Sequence, residues 1–297
     1  MGYAAYKEKM KQLCFQQEQE NRSCQVSGKR YCLPLNGRKI EIICYKKRAD
    51  APLLFCAYGG GFALGACALD DTLWKTLHQE LDVTVVSIGY RKAPEYPFPC
   101  ALYDVYETIL YIEEHSTEFD IQSQDYSVYG NSAGGNLAAA VCMMDQKLGG
   151  RLHIRRQILN YPYCDLATEP EEKGHTGEEL WMYQMFVEYY CTEKGKNNPL
   201  VSLVKASAED LKFMPRAIIS LADNDPLHAE GARYVSKLRA AGIEVACHFA
   251  PEMGHGYSET FFQGVKEGIS AEVRKQFEDG SLKRETFRTI EFIKENF

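Results

Sequence analysis

Short, mostly apolar runs at 53–57, 83–88, 126–129, 154–159, 217–221 and 245–249 recur along the chain, and stretches of helical spacing separate them. A strand that reads as a continuous apolar run is covered on both faces, and parallel neighbours need a crossover helix between them. The pattern therefore predicts a mostly parallel, twisted α/β sheet with helices on both faces. The helical stretches are expected at 71–81, 101–115, 136–148 and 227–241, with a long closing segment at 270–297.

Ahead of this series, Tyr31-Cys-Leu-Pro-Leu35 and Lys39-Ile-Glu-Ile-Ile-Cys-Tyr45 flank Asn36-Gly37. Both turn residues tolerate positive φ, so a hairpin is expected there. Residues 3–21 carry apolar positions at helical spacing. Between 161 and 205 a loop rich in Glu and Gly leads into Leu180-Trp-Met-Tyr-Gln-Met-Phe-Val-Glu-Tyr-Tyr190, an amphipathic aromatic segment expected as an inserted cap helix. The organisation read from this is one domain over 1–297, with cap elements at about 1–28 and 161–205.

The chain has 297 residues, 45% of them hydrophobic and 25% charged, enough for a sizeable core. Its net charge of −7 is spread without long like-charged runs, which disfavours nucleic acid and anionic membranes as partners. The first ten residues lack an apolar signal core, and no apolar run approaches the ~18 residues of a membrane span. A cytoplasmic location is expected. Eleven cysteines, an odd number with no C-x-x-C pair, sit mostly among apolar neighbours, as Cys44, Cys56 and Cys142 do. They read as reduced core thiols, and no metal or cofactor is called for.

The chemistry concentrates in three places. Gly130-Asn-Ser-Ala-Gly134 follows one expected strand and precedes a helix, the setting of a nucleophile elbow. Glycine and serine frequencies alone produce such a pattern in roughly one chain in ten, so the setting carries the weight. There Ser132 would stand above the sheet edge at a helix N-terminus.

A serine hydroxyl needs a base, and the base needs a carboxylate to hold it. Of seven histidines, His78, His115, His153, His228 and His248 fall inside expected elements and His175 in the polar insert. His255 sits in the Gly-flanked Pro251-Glu-Met-Gly-His-Gly256 loop after the final strand, at the edge where such sheets bind ligands. For the acid, Leu221-Ala-Asp-Asn-Asp225-Pro-Leu offers Asp223 and Asp225, and either could instead cap the next helix. Third, Tyr58-Gly-Gly-Gly-Phe62 follows the strand at 53–57. Its Gly60 and Gly61 N–H groups, with that of Ala133, would form an oxyanion hole. No Lys-Ser or Lys-Thr follows, which disfavours a phosphate loop.

The Gly-Gly-Gly-Phe stretch, Tyr90-Arg-Lys-Ala-Pro-Glu95 with Pro97-Phe-Pro99 and Asp104, the Gly-Asn-Ser-Ala-Gly-Gly elbow, Asp225-Pro-Leu and His255-Gly256 together resemble the hormone-sensitive-lipase-like esterases of the α/β-hydrolase fold. These landmarks cover about two-thirds of the chain. The resemblance implies Ser132 as nucleophile, His255 as base, Asp225 rather than Asp223 as acid, and Gly60, Gly61 and Ala133 as oxyanion donors. It implies a carboxylic ester hydrolase with a small-molecule ester as partner and a homodimer as an allowed assembly. Most family members carry His where this chain has Tyr58, and many carry Asp where it has Asn131.

Tyr58 leaves two roles open, a hydroxyl that supports the oxyanion or a ring that braces the glycine loop. The first would suit a serine peptidase of the prolyl-oligopeptidase kind, although the Tyr90–Pro99 stretch speaks for an esterase. A ligand-binding homologue with a disabled triad is the other rival, and intact Ser132, Asp225 and His255 argue against it. The compact insert with Trp181, Tyr183 and Phe186 leads to an expectation of short acyl groups, acetyl to butyryl.

Overall fold

The structure, a computed structural model, describes residues 2–265 and 269–297. After α1 (Tyr3–Ser23), β1 (Lys29–Leu35) and β2 (Arg38–Tyr45) form an antiparallel hairpin in which Leu35 pairs with Arg38. Asn36 and Gly37 both have positive φ, 42° and 83°, as a two-residue turn matched to strand twist requires. The remaining elements are β3 (Leu53–Ala57), α2 (Asp71–Glu80), β4 (Thr84–Gly89), α3 (Cys100–Glu114), β5 (Tyr126–Asn131), α4 (Ala133–Lys147), β6 (Ile154–Asn160), α5 (Gly177–Tyr190), α6 (Ala208–Leu211), β7 (Arg216–Ala222), α7 (His228–Ala240), β8 (Val245–Ala250), α8 (Tyr257–Gln263), α9 (Ala271–Glu278) and α10 (Ser281–Asn296).

The eight strands lie in the order β1-β2-β4-β3-β5-β6-β7-β8. The hairpin joins antiparallel through β2 to β4, and every pairing from β4 to β8 is parallel. The inner strands β3 and β5 are buried along their whole length, which is why they read as unbroken apolar runs. α3, α4 and α7 cover one face, while α2, α8 and α10 pack together on the other. Small residues Gly134, Gly135 and Ala138–Ala140 let α4 lie close against β5 and β6, with all its residues from Ala133 to Asp145 buried.

Because β3 leads to β4 on one side and the chain then returns to β5 on the other, the order reverses between β3 and β5. At such a switch point the loops after parallel strands leave a crevice at their C-terminal ends. Ala57 pairs with Gly130, so the loops that follow β3 and β5 emerge side by side.

Two expectations are corrected by the structure, and one helix is added. The closing segment is two helices rather than one, because Asp279-Gly280 breaks it and Gly280 takes φ 76°. α8 follows the Pro251–Gly256 loop in a stretch for which no element was expected, too short at seven residues to show a helical period. α4 starts at Ala133 rather than near 136, which makes Ser132 itself the residue before the helix. Among the described residues, no helix is long and apolar enough to cross a membrane.

Candidate active site

Between the end of β5 at Asn131 and the start of α4 at Ala133, Ser132 alone makes the turn, with φ 53° and ψ −117°. A residue with a side chain held there costs about 1–3 kcal/mol, so its surroundings must over-determine it. They do. The Ser132 N–H donates to the Asn160 carbonyl at 2.9 Å, and the Ser132 carbonyl accepts from the N–H groups of Asn136 and Tyr163. The flanking glycines are required by space: a Cβ at Gly130 would strike the Gly134 backbone, and one at Gly134 would strike the Ala57 carbonyl.

The parallel sheet carries the other candidates to the same edge. His255, on the loop between β8 and α8, places Nε2 2.8 Å from Ser132 Oγ and Nδ1 2.7 Å from Asp225 Oδ2. The other Asp225 oxygen accepts from the Leu227 N–H at 2.7 Å, so the carboxylate is held in orientation. Asp225 is buried, whereas the Asp223 side chain is 45% exposed and lies nearest His228. Of the two acids that the local pattern left open, the structure brings to His255 the one the family resemblance implied, Asp225.

Burial alone pushes the His255 imidazole down, but the bonded Asp225 carboxylate, with Glu259 and Glu230 beyond it, more than offsets this and holds its pKa above the usual value. The other bonded histidines are engaged elsewhere. Nδ1 of His78 bonds the Val83 carbonyl, that of His115 the Tyr111 carbonyl and that of His228 the Ala222 carbonyl, while His248 meets Glu285. His175 is buried against Tyr183 and bonds Glu179.

Gly60 and Gly61, at φ 123° and 59°, turn beside the elbow; a Cβ on Gly60 would strike the Leu64 carbonyl and one on Gly61 the Phe186 ring. Among the described residues, no backbone carbonyl accepts from the N–H groups of Gly60, Gly61 or Ala133 outside the regular elements. A cavity of about 280 Å³ opens over Ser132 and His255, walled by Gly60, Gly61, Tyr163, Met182, Tyr183, Phe186 and Glu259.

A model of the alpha/beta hydrolase fold family matches residues 54–259, the span that holds the elbow, both partner loops and the glycine turn. The chain belongs to the hormone-sensitive-lipase-like esterases of that fold. Two relatives from Mycobacterium tuberculosis H37Rv are similar to it. Esterase LipI is 32% identical over 214 residues, 71% of this chain and 67% of its own. Carboxylic ester hydrolase LipN is 32% identical over 222 residues, 72% of this chain and 59% of its own. The solved structure of EstE1, a thermostable carboxylesterase from a metagenomic library, superposes with a TM-score of 0.78 at 26% identity, covering 98% of this chain and 99% of its own.

In this hydrolase the Tyr58 hydroxyl donates to the Tyr90 carbonyl at 3.0 Å while Tyr90 donates back to the Tyr58 carbonyl at 2.8 Å. The two rings stack at 4.2 Å. The Tyr58 hydroxyl is thus occupied away from the cavity. Next along, Asp104 is buried and takes both Arg91 and Arg38, which fastens the Tyr90–Pro99 stretch to the hairpin. Asn131 accepts from Tyr129 and Asn160 beneath the elbow.

Sequence reasoning missed Glu259 on α8, which lines the cavity and accepts from the Tyr161 hydroxyl. Its only sequence signal was its place four residues after His255, inside a helix too short to be read. Trp181 was grouped with the aromatic residues that shape the pocket; instead it turns to α1 and packs on Tyr6, while Met182, Tyr183 and Phe186 form the wall. Helical spacing explains this, since residue 181 faces away from 183 and 186.

Proposed function

We propose that the chain is a serine carboxylesterase that hydrolyses small, short-acyl esters, acetyl to butyryl, through an acyl-enzyme. The observation that carries the reading is the continuous run of hydrogen bonds from Ser132 Oγ through His255 to Asp225. In this reading His255 Nε2 takes the Ser132 proton as Oγ attacks the ester carbonyl, then returns it to the leaving alcohol. Asp225 keeps the proton on Nδ1 and steadies the imidazolium. Water, activated by the same nitrogen, then releases the acid. Gly60, Gly61 and Ala133 are the proposed donors to the tetrahedral oxyanion, and the positive end of α4 adds to them.

Tyr58 acts here as a brace for the glycine loop, which its tie to Tyr90 supports. The peptidase alternative leaned on a free Tyr58 hydroxyl and loses that support. α1 and the 161–205 insertion serve as a small cap, supported by the contact of Tyr6 with Trp181 and of Lys7 with Glu188. A wall of Tyr183 and Phe186 around 280 Å³ favours short acyl chains. Eleven unpaired cysteines support a reducing, cytoplasmic setting.

The test is a panel of p-nitrophenyl esters of increasing acyl length, run on the native chain and on Ser132→Ala. Hydrolysis should peak between acetyl and butyryl and almost vanish in folded Ser132→Ala. Retention of more than a few per cent would move the nucleophile elsewhere, and faster cleavage of long-chain esters would end the short-acyl reading.

A further inference from the structure

Building on the ester-hydrolase reading, we infer that the site selects esters whose alcohol portion carries an ammonium group, held by Glu259 and the aromatic wall. Glu259 is the feature the proposed chemistry leaves unused. It lines the same cavity as Ser132 and His255, and a point one Cβ bond from Gly59 lies 3.2 Å from Glu259 Oε1 and 3.6 Å from the Ser132 Cβ. The carboxylate and the nucleophile therefore flank one glycine.

Among the described residues, no lysine or arginine lines this cavity, and the one side-chain partner of Glu259 is the Tyr161 hydroxyl. Asp225, the other carboxylate near His255, already has its cation-forming partner. A second carboxylate with no lysine or arginine beside it among the described residues, in a half-closed apolar cavity, is costly while charged unless something of opposite charge enters with the ligand. Burial raises the Glu259 pKa, as does Asp225 nearby, while the Tyr161 hydroxyl, its own backbone N–H and His255 act in the other direction; the net shift is upward, as expected for a carboxylate short of positive charge.

The rest of the wall fits the same ligand. Tyr183 and Phe186 line the cavity together with Glu259, whereas the Tyr163 ring already meets Lys173 Nζ at 5.1 Å; aromatic rings beside a carboxylate attract ammonium groups over neutral groups of the same shape. Size agrees as well, since about 280 Å³ accommodates a short acyl group and a small ammonium alcohol, not a long chain.

The test compares butyrylcholine with 3,3-dimethylbutyl butyrate, which has the same shape without the charge. In the full native chain kcat/KM should favour the cation by tenfold or more, and in Glu259→Gln that ratio should fall close to one. A native ratio of one or below overturns the inference. So does an unchanged ratio in Glu259→Gln, or an equal loss on both esters with a shifted acid limb of the pH profile, which would make Glu259 a positioning residue for His255. Calorimetry with tetramethylammonium and with neopentyl alcohol reads the charge preference without turnover or substitution. Tighter binding of the cation by tenfold upholds the inference even where no ester is cleaved and the hydrolase reading fails. Equal binding overturns it even where p-nitrophenyl butyrate is cleaved and that reading stands.

Discussion

The elbow and the helices that overlie it are held in opposite ways. At the elbow, backbone meets backbone: Gly130, Gly134 and the Ala57 carbonyl leave no room for a single added carbon, and three main-chain hydrogen bonds fix Ser132 in a strained turn. Over it, α1 and α5 meet through a tilted Tyr6–Trp181 contact at 6.0 Å and a Lys7–Glu188 ion pair whose side chains are a third to a half exposed. The difference separates two tasks. Positions that must be correct to a fraction of an ångström are set by sheet register and close packing, and those that choose among substrates rest on side chains that can shift.

The comparison can be broken first at the acid. Asp225→Asn should lower kcat by about 10³–10⁴-fold, whereas Asp223→Asn, already facing solvent, should change it little. Neutral His255 is the base, so kcat/KM is lost as pH falls through its pKa, and that acid limb should lie above the usual imidazole range because Asp225 raises it. In Asp225→Asn the limb should move down. A pH profile of each variant checks both statements, and equal losses at the two aspartates would contradict the geometry.

Next in size is packing. Gly134→Ala forces the Ala57 strand or the α4 N-terminus to move, and should cost more than about 3 kcal/mol in a denaturant titration or prevent folding. A loss under about 1 kcal/mol would show the elbow to be softer than its contacts imply.

Smaller still is the effect expected at the brace. Tyr58→Phe removes one bond to the Tyr90 carbonyl but keeps the stacked ring, so kcat should fall less than tenfold; Tyr58→Ala should do far more harm. A hundredfold kcat loss in folded Tyr58→Phe would return the hydroxyl to the oxyanion. Least of all, Lys7→Ala should shift stability by no more than about 0.5 kcal/mol, because both partners of its ion pair are screened by water. A larger loss would place the covering helices among the rigid parts.

How far the sequence could be read follows the same division. Ser132, His255 and the Asn36-Gly37 turn were legible because local backbone demands dictate those residues: a strained strand-to-helix turn flanked by glycine, a Gly-flanked loop, a hairpin needing two positive φ angles. The apolar runs placed the strands to within a residue or two, most clearly for β3, β4, β5 and β7, since a strand buried on both faces can hardly carry anything else; β6 and β8 are partly exposed and hold polar residues as well. The break in the closing segment was signalled by Asp279-Gly280, but helical spacing on either side masked it.

By itself, then, the sequence determined the parallel sheet, the elbow and the loops from which partners for Ser132 had to come, because each is written in short-range steric and periodic rules. Local rules left Asp223 and Asp225 open and only the family resemblance pointed to Asp225; the tertiary structure brought Asp225 to His255, turned Trp181 away and Tyr183 inward, tied the Tyr58 hydroxyl to Tyr90 and brought Glu259 beside the nucleophile. Those outcomes depend on where separate strands end relative to one another, and on distances between residues far apart in the chain, 127 positions for Ser132 and Glu259 and 175 for Tyr6 and Trp181, about which no local rule carries information.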